Sequence, residues 1–236
     1  MARSNIIKNF INSNMDIDTA LQNLLAILYC LDDKNLIGWV NKELSGYDES
    51  DELPKYRKLN GRVIASFIVG HVHYSNRQFG IAHLDKDTQE DLLNTHVYSS
   101  ISTLEYMKNK EGARIEKPIP PELYHRLQKN TNAHITEASV LIDIGSINDI
   151  ISKVRTKILE TLLYLEKEFR NLDDLDIDIS TKSKEELTSI ITHIQLTLYD
   201  NSITIGDNNK IKKSNITTNK WTSIERLKTL NPFKKK

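Results

Sequence analysis

A long stripe of apolar residues in the second half of the chain constrains the fold more than any other feature. Its members follow one another at steps of 4, 3, 4, 4, 3 and 4 residues, as on one face of an α-helix. They are Ile147, Ile151, Val154, Ile158, Leu162, Leu165 and Phe169. The stripe predicts a helix roughly 35 Å long, capped at Ser146-x-x-Asp149. Its spacing also permits a coiled-coil-like self-contact, but burial within its own domain is the more economical arrangement.

A helical hairpin is predicted nearer the N-terminus. Leucines recur at helical spacing from Leu21 to Leu31, with Asp18 as the expected N-cap. A second apolar face runs from Leu36 to Leu44, and Gly46 is placed to end that helix. Because only Asp32-Asp33 separates the two patterns, the helices should be antiparallel neighbours.

The following segment is rich in β-forming residues. Residues 62–74 alternate in a way that leaves both faces of a predicted strand apolar, and residues 76–80 should form a turn. Asp87-x-x-Glu90 predicts the start of one helix or two, ending by Gly112. Residues 135–144 are compatible with a strand or with a helix.

These patterns together predict a mainly α fold with a small β element (α+β). Its parts are a helical hairpin, a short β segment, a long core helix, and a C-terminal helix followed by a β-turn segment and a basic tail. Ser183-x-x-Glu186 is a capping box for the C-terminal helix, and residues 206–209 suit the turn. The expected organisation is a main domain at 1–170, an acidic linker with an amphipathic helix at 171–200, and a polar turn with the tail at 201–236.

The C-terminal tail combines basic and aromatic residues. From Asn209 to Lys236 there are eight Lys and one Arg against one Glu, although the whole chain has a net charge of zero. The candidate contact residues are Trp221, Arg226, Lys228, Phe233, Lys234, Lys235 and Lys236. Such a peptide suits an anionic membrane surface or a partner protein, and nucleic acid stays an alternative. A solvated extension without a contact is the other interpretation.

Composition and cysteine content suggest a cytoplasmic protein. The chain has 236 residues, 39% of them hydrophobic, and a single cysteine that cannot form an internal disulfide. There is no signal-like N-terminus and no apolar run of membrane-spanning length. We therefore expect a cytoplasmic location, with the tail allowing contact with the inner face of the membrane.

Motifs for metals or catalysis are weak in this sequence. Asp174, Asp176 and Asp178 resemble the start of a calcium loop, but the glycine that such a loop needs is replaced by Ile179. A histidine pair at residues 71 and 73 lacks the cysteines or the helical motif of a zinc site. Phosphate-binding glycine loops and hydrolase motifs are absent from the sequence. We expect no metal and no cofactor, and the sequence assigns no catalytic residue.

Several segments resemble one known family. The Trp39 helix ends in Glu43-Leu44-Ser45-Gly46-Tyr47, and Leu53-Pro54-Lys55-Tyr56-Arg57 follows an acidic loop. A Ser-Ile-x-x-Leu-Glu helix lies at 100–105, and the long helix runs over 154–169. In these segments, over roughly residues 15–170, the chain resembles the AbiTii family of abortive-infection proteins.

This resemblance implies a bacterial antiphage protein whose activity arrests or kills the infected cell. It implies no reaction, so we expect a non-enzymatic interaction protein or toxic effector. The alternatives are an enzyme, such as a nuclease or nucleotide-processing enzyme, or the sensor or antitoxin half of a two-component system. The expected partner is a second copy of the chain or another defence protein.

The resemblance also singles out four residues with two possible roles. Glu43, Tyr47, Tyr56 and Arg57 would either hold the fold together or line a ligand or partner surface. In the first role, Arg57 would pair with Glu43 or with the acidic loop between them.

Overall fold

The computed structural model describes residues 3–110 and 114–199. The main helices are α1 (Asn5–Ile11), α2 (Ile17–Tyr29), α3 (Lys34–Ser45), α4 (Lys86–Leu93), α5 (Ile101–Asn109), α6 (Tyr124–Leu127), α7 (Ile144–Phe169) and α8 (Lys184–Leu198). The strands are β1 (Lys58–Asn60), β2 (Arg62–Val69), β3 (Val72–Gln78), β4 (Asn94–His96), β5 (Ile115–Pro118) and β6 (His134–Ile142). A 3₁₀ turn at Lys55–Arg57 precedes β1, and two further 3₁₀ turns lie at Pro121–Leu123 and Ile179–Thr181. The predicted mainly α, α+β fold class is confirmed.

Helix α7 is the central support of the helical layer. It has 26 residues, which corresponds to a length of about 39 Å, and it contacts α1, α2, α5 and α8. Its predicted apolar stripe is buried from Ile147 to Leu165, while Phe169 is only partly buried at the end. The predicted cap was wrong, because the side chain of Asp143 caps the helix by accepting a hydrogen bond from Gly145 N.

The predicted helical hairpin is formed by α2 and α3, which pack against each other. The N-cap of α2 is Asp16 instead of the predicted Asp18, because the Asp16 carboxylate accepts a hydrogen bond from Thr19 N. Gly46 ends α3 as expected, with φ 97° and ψ 173°. This conformation is one that essentially only glycine adopts.

The main sheet has four antiparallel strands in the order β3-β2-β6-β5, and β1 pairs with β4 in a separate two-stranded sheet. Of the two structures compatible with residues 135–144, the strand is the one formed, as β6. The sheet and the helices contribute to a single hydrophobic core. Two helices, α4 and α5, follow strand β3 in the sequence, and the short strand β4 separates them.

The predicted turn at residues 76–80 was wrong, because β3 continues to Gln78. The chain reverses earlier, at Gly70-His71, where Gly70 has φ 59° and Val69 pairs with Val72. Glycine at the first position of a two-residue hairpin turn supplies this positive φ without strain. Asn76, with φ 50°, lies at the register shift between β2 and β3 instead of in a turn. A β-bulge therefore produced the polar pattern that suggested a turn.

Helix α8 is the last element in the described residues, and it begins with the predicted capping box between Ser183 and Glu186. It packs on α3 and α7 and buries Ile190, Ile194 and Leu198. The predicted division of the chain at residues 170 and 200 stays a prediction. The predicted turn at 206–209 lies outside the described residues.

Replacing Gly46 with alanine should destabilise the protein by an amount of order 1–3 kcal/mol, because of its backbone conformation. An added Cβ would also lie 2.9 Å from the backbone oxygen of Tyr98, which leaves it no room. Urea denaturation of the Gly46→Ala variant measures the change in the free energy of unfolding.

Gly38→Ala is the matched control for this experiment. Gly38 lies inside α3, and nothing lies within 4 Å of the position of an added Cβ. Its replacement should stabilise the protein by about 0.5–1 kcal/mol, because alanine favours the helix. Equal effects of the two substitutions would contradict the constraint inferred at Gly46.

Candidate functional site: a buried network around Glu43

The four residues singled out by the sequence lie together inside the protein. Glu43 lies in the last turn of α3, Tyr47 follows the end of this helix, and Tyr56 and Arg57 lie in the 3₁₀ turn. The side chains of Glu43 and Arg57 have no exposed area, while Tyr56 and Tyr47 are 4% and 8% exposed. The segment from α3 to the 3₁₀ turn thus folds back on itself through polar side chains.

Glu43 is the acceptor at the centre of this network. Its Oε1 accepts hydrogen bonds from the hydroxyls of Tyr47 and Tyr56, both at 2.7 Å, and from Arg57 Nε at 3.2 Å. Its Oε2 accepts a hydrogen bond from Arg57 Nη2 at 2.6 Å. The arginine therefore binds both oxygens of the carboxylate, which is the strongest arrangement for this pair of groups.

Arg57 extends the network to the segment before α5. Its Nη1 donates to the backbone oxygens of Val97 and Ser99, at 3.0 and 2.7 Å. The guanidinium carbon also lies 4.6 Å from the centre of the Tyr47 ring, within the range of a cation–π contact. Tyr47 N in turn donates to the backbone oxygen of Tyr98 at 2.8 Å. One side chain thus joins parts of the chain about 40 residues apart.

Trp39 connects the network to the interior of the hairpin. Its indole Nε1 donates to the hydroxyl of Tyr56 at 3.1 Å, and the side chain is almost fully buried. The Tyr56 hydroxyl thus accepts one hydrogen bond and donates another, to Glu43. The aromatic residues of the segment act as hydrogen-bonding partners as well as packing groups.

Burial and charge shift the pKa values of these groups. Burial, followed by the nearby Glu43 carboxylate, raises the pKa of both the Tyr56 and the Tyr47 hydroxyls well above the usual value for tyrosine. For Arg57, burial lowers the pKa, but attraction to the Glu43 carboxylate more than offsets this and raises it overall. The two phenols therefore stay protonated and donate to Glu43, while Arg57 stays charged.

The structure brings all four predicted residues together, and Arg57 selects Glu43 instead of the acidic loop. The loop residue Asp51 pairs with Lys42 at 2.7 Å. Sequence reasoning missed the contacts of Arg57 with the oxygens of Val97 and Ser99, because backbone acceptors have no pattern in the sequence. The role of the four residues as a ligand or partner surface stays a prediction. The seven candidate residues of the tail lie outside the described residues.

The aspartate motif and the histidine pair, which were weak candidates for metal sites, lie in different segments of the structure. Asp178 caps the 3₁₀ turn at Ile179–Thr181, and Asp176 accepts a hydrogen bond from the Cys30 thiol at 3.2 Å. His71 lies in the β2–β3 turn and His73 in β3. Over residues 3–110 and 114–199, no three side chains of the metal-binding types cluster suitably for an ion. In the same residues, no helix combines the length and apolarity required to span a bilayer.

The fold and the network define an α+β protein in which a buried, hydrogen-bonded ion pair fixes the end of α3 to the 3₁₀ turn. The family model described as AbiTii matches residues 4–193, so the chain belongs to the AbiTii family. The family resemblance read from the sequence is confirmed, and membership implies a role in abortive-infection defence against phages. No curated protein and no solved structure gives a significant match to the chain.

Replacing Glu43 with glutamine should destabilise the protein by about 3–5 kcal/mol, because Arg57 would keep a buried charge without a counter-charge. Urea denaturation measures this loss. Glu49→Gln, which removes the same charge from an exposed position in the acidic loop, should change stability by less than about 0.5 kcal/mol. A loss below about 1 kcal/mol in Glu43→Gln would show that the ion pair does not hold the segment together.

The network also predicts a loss of stability at alkaline pH. Unfolded tyrosines ionise near pH 10, whereas burial and the Glu43 carboxylate raise the pKa of Tyr47 and Tyr56 in the folded protein. Above that pH the folded state holds more protons, so the free energy of unfolding should fall as pH rises. The slope is up to about 1.4 kcal/mol per pH unit for each phenol.

This pH dependence can be assigned with tyrosine-to-phenylalanine variants. Urea denaturation between pH 9 and 11, values chosen to bracket the usual tyrosine pKa of about 10, should give a shallower slope for Tyr47→Phe/Tyr56→Phe than for the unchanged protein. Tyr106→Phe is the control, because this side chain is 69% exposed. An unchanged slope in the double variant would disprove the assignment to the buried pair.

Proposed function

We propose that this AbiTii protein acts in abortive infection as a non-enzymatic effector, whose contacts with other molecules become toxic after phage infection. The observation that supports this proposal most directly is that the polar groups between α3 and the 3₁₀ turn bind one another inside the protein. Both oxygens of Glu43, the Tyr56 hydroxyl and the guanidinium of Arg57 are engaged within the protein. In this proposal the segment has a structural role, and the toxic contacts are made by the surfaces of the protein that the segment holds in place.

The free energy needed to bury the charges of the network also supports this proposal. Burying a carboxylate and a guanidinium is expensive, and it is tolerated where good geometry and further hydrogen bonds compensate for the lost hydration. Two phenols and two backbone oxygens provide those further bonds here. A group committed to this many internal partners is suited to fixing a shape, because using it in a reaction would disrupt the fold.

The proposed contacts involve a second molecule and the tail. We propose a homo-oligomer or a complex with another defence protein, in the cytoplasm, with the C-terminal tail at the inner face of the membrane. The sequence of the tail supports this, because Trp221 and Phe233 accompany the basic residues. Aromatic side chains enter the interfacial region of a bilayer, while lysines are attracted to anionic lipids.

The mechanism is tested by following infected cells that express the full chain. Membrane potential, RNA integrity and DNA integrity are measured from infection until growth stops. The proposal predicts that growth arrest and loss of membrane potential occur while RNA and DNA stay intact. Breakdown of either nucleic acid before the potential changes would contradict it and indicate a nuclease.

The role of the tail is tested by matched charge changes. Neutralising Lys234, Lys235 and Lys236 together as glutamines, or changing Trp221 and Phe233 to alanine, should reduce protection in a plaque assay at least tenfold. The control neutralises Lys210, Lys212 and Lys213, which removes the same number of charges from a part of the tail without aromatic residues. Equal protection by all variants, at equal protein levels, would show that the tail contact is not needed.

A further inference from the structure

A cleft lined by charged, hydroxyl and apolar side chains lies beside the network and has no role in the proposal above. Its volume is about 590 Å³, and its walls come from the 3₁₀ turn, β1, the part of α7 from Ser146 to Glu160, and the end of α8. Pockets for small molecules usually measure about 300–1,000 Å³. The cleft therefore has the size of a small-ligand site.

Lysines dominate the charge of the cleft. Lys55, Lys58, Lys153 and Lys157 line it, against the two acids Asp149 and Glu160. Lys157 is buried and donates to the backbone oxygen of Thr197 at 2.7 Å, so it belongs to the wall of the cleft. The other three lysines are exposed.

The three exposed lysines are available to a ligand. In the described part of the chain, no hydrogen bond or ion pair engages the ammonium group of Lys55, Lys58 or Lys153. Neither Asp149 nor Glu160 forms an ion pair with them there. Because the lysines outnumber the two acids of the lining, the cleft keeps a net positive charge that attracts an anion.

Hydroxyl and apolar groups complete the lining. Ser146 and Ser152 place hydroxyls along the α7 wall, and hydroxyls donate readily to phosphate oxygens. The Thr156 hydroxyl also lies in the lining, but it donates to the backbone oxygen of Ser152 at 3.0 Å. The opposite wall includes the Tyr56 ring and Leu59. Lys157 Nζ lies 5.5 Å from the centre of that ring. The cleft thus combines groups that suit phosphates with an apolar surface that suits the remainder of a ligand.

We infer that this cleft binds a phosphorylated small molecule of nucleotide size. Four lysines against two carboxylates leave the lining with a formal charge of +2, which matches the charge of a phosphate group, and lysine is a common partner of phosphate. The inference does not depend on how the protein acts in defence, because it rests on the lining of the cleft alone.

Binding is tested by calorimetric titration of the full-length protein with ADP, ATP and inorganic pyrophosphate. Adenosine, which lacks phosphate, serves as the uncharged comparison. We expect saturable binding of at least one phosphorylated probe, no binding of adenosine, and weaker binding at higher salt. A single-stranded DNA oligonucleotide is titrated in parallel. It distinguishes a site for a small ligand from a surface that binds nucleic acid.

Matched lysine variants test whether the probes bind in the cleft. Lys58→Gln/Lys153→Gln should weaken binding at least tenfold, while Lys58→Arg/Lys153→Arg should retain most of it because the charge stays. The control is Lys86→Gln/Lys184→Gln, which removes two charges from exposed positions outside the cleft. Urea denaturation of each variant shows that it is folded. Ser146→Ala/Ser152→Ala, which removes two hydroxyls of the lining without altering charge, should also weaken binding.

Three results would overturn the inference. One is that none of the phosphorylated probes binds to the unchanged protein. Another is equal weakening in the cleft variant and in the control, which would mean that general charge attracts the probes. The third is binding of the DNA alone, which would indicate an extended nucleic-acid surface instead of a small-molecule site.

Discussion

The ion pair between Glu43 and Arg57 is the interaction on which the rest of this structure depends. Neither charge reaches water, so each is stable only because the other lies beside it. Through this pair the end of α3, the 3₁₀ turn and the backbone before α5 are fixed to one another. The acidic loop between the two residues can therefore stay at the surface while its ends are held in place.

Helix α7 and the network support the molecule in different ways. The helix contributes apolar area that packs with little directional preference, whereas the network specifies distances and angles. They meet where Lys157 of α7 lies over the Tyr56 ring. The 3₁₀ turn is therefore held by directional bonds to α3 on one side and by contact with α7 on the other.

Sequence reasoning succeeded where structure is local and periodic. The apolar stripe of α7, the paired helices α2 and α3, and the capping box at Ser183 are each encoded in local stretches of chain. They predict the helical part of the fold class, and the alternation over residues 62–74 predicts its β element. It failed at the bulge around Asn76, because turns and bulges use the same polar residues and differ only in their strand partner. The four network residues could be named from the family resemblance, but the backbone acceptors of Arg57 and the gathering of Lys58 with Lys153 depend on the tertiary fold.

The attachment of α1 has a consequence for synthesis of the protein. The first backbone N–H group of this helix, at Asn5, donates to the carboxylate of Asp173 at 2.6 Å, and Ser4 N donates to Glu166. Partners 168 positions apart can meet only after the chain between them has left the ribosome, and such distant contacts slow folding. The N-terminal helix must therefore wait for the end of α7, so an incomplete chain lacks the docked helix. For a protein of abortive infection, this order delays the finished fold until Glu166 and Asp173 have been synthesised.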